Sequence, residues 1–210
     1  MKRDLKHPKR ENSFESFKRL EKSVIDGHLM PYIFERGIQK AMKECFLGFL
    51  KGGYLNAKME ETMFEEFFIP WFLFDWKEGS IARSYLREQK KAFFIKAVLK
   101  SHYSFYRVLS TEEEGIVHIQ DLFLMTNHFV KAKGLFLERG DIVFTRIVSL
   151  WGNFFLMGTC PWKIKDFEDF FRGERGDELL KEEILELYLV ILREMFKIEG
   201  EDLDKVGLLS

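Results

Sequence analysis

The stretch FIPWFLFDWKEGS, residues 68–80, sets one carboxylate, Asp75, inside an otherwise aromatic and aliphatic run. A carboxylate so placed can do one of two things. In an apolar pocket reached by water its proton affinity rises, and it can serve a hydrolase as general acid or base. Cut off from water, it needs a buried cation. Arg146 offers one. In GDIVFTRIVSL, strand alternation puts Ile142, Phe144, Val148 and Leu150 on one face, and Arg146 falls on that same face. A guanidinium among apolar neighbours must pair or reach an edge. The expected partner is Asp75, or Asp121 at the end of GIVHIQD. The pair ties the strands to one another or to the segment before them, in the bidentate geometry that suits both groups.

Other chemistry is sparsely encoded. A hairpin whose paired residue numbers sum to about 248 makes His118 face Val130 and Gln120 face His128, so the imidazoles are diagonal neighbours on one face. Two imidazoles can begin a metal site, but no third ligand is visible, and the expectation is two partly exposed histidines without metal. Cys45 and Cys160 are far apart, form no CxxC, and sit on apolar faces. The chain has no GxSxG, GxGxxG or GxxxxGK[ST], and no histidine has a glutamate three residues before it. No cofactor is expected, and the reading leans away from an enzyme. Arg107, Lys131, Lys133 and Arg139 lie near strand aromatics, as on a face for single-stranded nucleic acid, but Glu112, Glu113 and Glu114 dilute that field. Trp151 stands at a hairpin tip, where a tryptophan needs something to pack on: the helices first, a partner second.

These residues need elements to hold them. Residues 1–12 read as a loose, basic tail, with nucleic-acid contact the lesser reading. Ser13 can cap a helix bearing Phe14, Phe17 and Leu20. Pro31 stands where a helix begins, with Ile38, Ala41, Met42, Cys45, Phe46 and Phe49 in helical spacing up to Gly52-Gly53. Met59, Met63, Phe64 and Phe67 mark another helix, with the glutamates of MEETMFEEFF on its wet side, and Pro70 interrupts or restarts it. A further helix from near Ser80 presents Ala82, Tyr85, Leu86, Phe93 and Ala97. The period then changes to five short strands: SFYRVL, GIVHIQD, NHFVKAK, GDIVFTRIVSL and NFFLMGTC. Trp151-Gly152 is a two-residue turn between the last two. Asp166 and Asp177 can cap two closing helices. The expected class is α+β. Residues 1–103 form a helical segment, 104–163 a small five-stranded antiparallel barrel of OB or SH3-like type, and 164–210 C-terminal helices packed on the rest.

Composition narrows the function classes. A formal net charge of −1 disfavours a dedicated binder of nucleic acid or anionic membrane. The longest apolar run, 67–76, is too short to span a bilayer. The start of the sequence has charges in place of an apolar leader, so a cytoplasmic location is expected. Few Asn and Gln beside many Lys, Glu and Arg give a thermophile-like composition. The 23 phenylalanines predict a core rich in rings.

Trp71, Phe72, Phe74, Asp75 and Trp76, then Tyr106 and Val108, Asp121-Leu122, Gly140-Asp141, Arg146 and Gly158 follow one another in an order and spacing that resembles the region preceding the SEC-C motif in bacterial SEC-C proteins. The likeness covers about residues 65–162. The well-understood part of that family is its Cys-rich zinc-binding tail, and this sequence ends EGEDLDKVGLLS instead. Zinc binding therefore does not carry over. The expected function is that of a non-enzymatic binding or adaptor module working through the outer face of the barrel and the tip at Trp151, with another protein as partner. The alternative is a weak binder of RNA or single-stranded nucleic acid using Lys131 and Lys133. The second alternative is a hydrolase using Asp75.

Overall fold

In the second half of the chain, alternating apolar residues close a sheet into a barrel, and the first half lies over one side of it. The computed structural model describes residues 14–49, 61–88, 92–112, 115–159, 162–164 and 206–208. The helices are α1 (Phe14–Val24), α2 (Met30–Glu35), α3 (Gln39–Phe49), α4 (Ile69–Phe74), α5 (Trp76–Glu88) and α6 (Phe93–Leu99). The strands are β1 (Tyr103–Thr111), β2 (Ile116–Asp121), β3 (Asn127–Lys131), β4 (Ile142–Leu150), β5 (Asn153–Met157), β6 (Trp162–Ile164) and β7 (Val206–Leu208). The protein is α+β. The expected helices at Asp166 and Asp177 lie outside the described residues. Of the stretch 164–210 expected to be helical, Val206–Leu208 is instead a strand paired to β6.

Two prolines leave the helical path unbroken. A π turn at Ile25–Leu29 leads into Pro31 in the first turn of α2, and another at Met63–Phe68 leads into Pro70 in the first turn of α4. Proline lacks an N–H, and its ring meets the carbonyl four residues back; a widened preceding turn relieves both problems. The helix expected from near Ser80 is in fact two, separated at Ala92, whose φ of −160° is not helical.

The barrel strands run in the order β1-β2-β3-β5-β4, and β4 pairs back onto β1. All of these pairings are antiparallel except β3–β5, where Val130 lies beside Phe154 in parallel register. The expected all-antiparallel barrel is corrected at this seam. The β4–β5 turn starts β5 at the same end of the barrel where β3 starts, so the two strands must run together. β6 extends the sheet by pairing with the first residues of β4.

Tyr106, Val108, Val117, Ile119, Val130, Val143 and Leu156 fill the barrel interior. The opposite face of β1, β4 and β5 is buried as well: Tyr103, Phe105, Ile142, Phe144, Val148, Leu150, Phe155 and Met157 join Phe17, Phe67, Phe72 and Phe94 in a second core between barrel and helices. Phe17 lies flat on Phe155, with centroids 4.5 Å apart, and Phe67 meets Tyr103 at 5.1 Å and Phe144 at 5.6 Å. Burial on both faces is why β4 reads as nearly continuous apolar sequence. It also fixes where Arg146 sits: outside the barrel wall, beneath the helices.

Candidate functional site

Asp75 caps the C-terminal end of α4, its N–H donating to the Trp71 carbonyl at 2.8 Å and its carbonyl accepting from Gly79 at 3.2 Å. From there its Oδ2 accepts a hydrogen bond from Arg146 Nη2. Arg146 Nη1 donates to the Val98 carbonyl at 3.3 Å, at the end of α6. The guanidinium is 4.5 Å from the Tyr103 ring centroid and 6.0 Å from that of Phe74. One side chain of β4 thereby holds two helices. The arrangement is lopsided in its access to water: the Arg146 side chain is 0% exposed, whereas that of Asp75 is 28% exposed. Burial pushes the neighbouring Tyr103 phenol far above its ordinary range, so it stays neutral.

Asp121 has other work. Its Oδ1 accepts from the backbone N–H groups of Phe123 at 2.8 Å and Leu124 at 2.9 Å, and its own N–H donates to the Thr126 carbonyl at 2.9 Å. These bonds close the β2–β3 turn. They also set the register: residue 121 pairs with 126, so paired numbers sum to 247 rather than 248. His118 therefore faces Phe129, and Ile119 faces His128. A shift of one residue moves a side chain to the other face of a sheet, and the two histidines part company. His118 stacks on Phe129 outside the barrel, 4.3 Å between centroids and 11° between planes. His128 points to the barrel's end, its Nε2 3.1 Å from Thr126 Oγ1 and its ring 5.3 Å from that of Phe154; burial lowers its pKa. The diagonal pair of imidazoles is thus corrected. Among the described residues no group of three or more His, Cys, Asp or Glu side chains is placed to hold a metal ion.

Trp151 is half-buried against the helix–barrel core, edge-on to Phe155 at 6.2 Å. Both turn residues have positive φ, 52° at Trp151 and 74° at Gly152, as a type I′ hairpin requires. Lys133 forms an ion pair with Glu15 of α1 at 2.8 Å. Lys131 lies 6.0 Å from the Phe155 ring. Arg107 is half-buried on β1, paired with Gln120 on one side and Ile142 on the other.

The outer face of β2 and β3, continued by the edge of β1, leaves one stacked ring pair uncovered by the helices. Cross-strand pairing lines up Arg107, Gln120 and Asn127 in one row and Ser110, His118 and Phe129 in the next, with Ile116 and Lys131 beyond. None of these eight is acidic. Phe129 is 55% exposed, and Leu124 and Met125 of the adjacent turn are exposed too. Sequence reading chose the cations of this face and passed over Phe129, although alternation along NHFVKAK sets it opposite the buried Val130. It also passed over Glu21, buried on α1, one turn beyond Phe17 on the same apolar stripe. A glutamate at that spacing was a readable anomaly.

A family of unknown function, DUF7986, matches residues 12–160. No curated protein matches the chain, and no solved structure matches it.

Proposed function

This chain belongs to the DUF7986 family, a family of unknown function, and we propose that it works in the cytoplasm as a non-enzymatic binding or adaptor protein. Its contact surface is the outer face of β2 and β3 around His118 and Phe129. The observation that carries this reading is a contrast in the barrel wall: Phe144 of β4 and Phe155 of β5 are buried under helices, yet Phe129 of β3 is left exposed with the half-buried His118 of β2 stacked on it. An exposed aromatic platform bordered by polar side chains is what a protein contact needs at its centre. Asp75, spent on Arg146, supports a structural role over a hydrolytic one. Among the described residues no helix is long and apolar enough to cross a membrane. The likeness to the region preceding SEC-C motifs enters the same proposal: Asp121 closes a turn, Arg146 fastens helices, and Phe72, Tyr106 and Val108 are buried, all as parts of a scaffold.

A photo-crosslinking phenylalanine analogue at position 129, compared with the same group at position 93, tests the proposal. Phe93 is similarly exposed, at 58%, on α6. A discrete protein adduct from position 129 and none from 93 is expected; indistinguishable adducts from both contradict it. Nucleic acid is the second reading, favoured by the stacked rings and by the lack of a carboxylate among the eight cross-strand-paired residues named above. Salt-sensitive retardation of a single-stranded RNA oligonucleotide, abolished in Phe129→Ala, would move the assignment there.

A further inference from the structure

We propose that α1 is a proton-controlled strap across the outer face of β4 and β5, seated while Glu21 is neutral and loosened once Glu21 ionises. α1 meets the barrel where Phe17 lies on Phe155, and Phe14, Leu20 and Val24 pack half-buried against the same core. Phe17 is fully buried, stacked on Phe155 and packed 5.8 Å from Phe94. One turn later the same side of α1 presents Glu21, which is 7% exposed. A buried carboxylate is an expensive anchor in its charged form. Lys18 of α1 stands 2.8 Å from Glu21 Oε2. Glu66, from the π turn before α4, adds a like charge. Arg146 of β4 attracts Glu21 from below, but it is already bonded to Asp75 and the Val98 carbonyl, with the neutral Tyr103 phenol beside it.

Burial is the largest influence and Glu66 adds to it, so the carboxyl is pushed above its ordinary value despite Lys18 and Arg146. A raised value in the seated state means that the neutral form seats best. The stabilisation is complete below the ordinary carboxylate value and is lost as pH rises through the raised one. The exposed Glu15–Lys133 pair holds little by itself. When α1 lifts, it uncovers Phe155, which already meets Trp151 and Lys131 at the margin of the open β2–β3 face. That consequence alone rests on the proposed contact surface; the strap does not.

Hydrogen exchange of the full chain at pH 5 and pH 8, corrected for the intrinsic rate, reads the strap directly. Amides from Phe17 to Lys22, compared with those of β4, are expected to be several-fold less protected at pH 8 than at pH 5. In Glu21→Gln, which is neutral at both, they stay protected. Equal α1 protection at the two pH values in the parent protein overturns the proposal without recourse to any variant. So does a Glu21→Gln protein whose α1 opens more than the parent's at pH 8, the result if the Lys18–Glu21 ion pair were the fastening.

Discussion

Water reaches Asp75 and does not reach Arg146, and this decides what each substitution costs. Asp75→Ala strands a guanidinium with no route to solvent, the case in which breaking a buried pair costs about 3–5 kcal/mol. Arg146→Met leaves a carboxylate that can hydrate, and the thioether fills part of the space, so the loss is clearly smaller though still well beyond a surface change. Urea midpoints at pH 7 give the order, and Arg146→Met as the costlier change would contradict it. At this scale alternation along β4 made Arg146 visible as an anomaly. What alternation cannot tell is which side of a closed wall an apolar face lies on. Here both sides are buried, and only the helices reveal that Arg146 is outside. Nor could spacing reserve Asp121 for its turn, because the two amides it satisfies are local backbone groups that any nearby acid could have served.

Turn geometry governs the elements. The five strands, the two-residue β4–β5 turn and the helical first half were legible from period and punctuation. The β2–β3 register was not, because one hydrogen bond from Asp121 to Thr126 decides between two faces for His118 and His128. The parallel β3–β5 seam was likewise hidden, being a property of closure rather than of either strand. Glycines at the two ends of β5 separate strain from collision. Gly152 has φ 74° with nothing within 4 Å of an added Cβ, so Gly152→Ala should cost about 1 kcal/mol, the left-handed penalty alone. Gly158 has φ 58°, and a Cβ there would lie 2.0 Å from the Tyr103 hydroxyl, against the ring that covers Arg146. Gly158→Ala should therefore cost at least about 1 kcal/mol more than Gly152→Ala, in keeping with overpacking. Equal thermal midpoints for the two variants would refute that difference.

At the scale of the molecule Phe17, buried between helix and barrel, and Phe129, exposed on the barrel wall, mark two different uses of the same side chain. Phe17→Ala should cost about 3–5 kcal/mol, as large-to-small changes in cores do, while Phe129→Ala should stay within about 0.5 kcal/mol of the parent. Chemical denaturation of the two variants checks the contrast, and a Phe129→Ala loss near that of Phe17→Ala would make the open face part of the core. The central claim is that the helical layer and the barrel are one cooperative body, fastened where Arg146 meets Asp75. Trp76, stacked on Phe72 in the helical layer, and Trp151, edge-on to Phe155 at the barrel's turn, are fluorescent reporters of the two halves. Urea unfolding of two variants, one retaining Trp76 as its sole tryptophan and one retaining Trp151, should give coincident transitions. Transitions at separate urea concentrations, with the barrel persisting after the helices have melted, would contradict the claim.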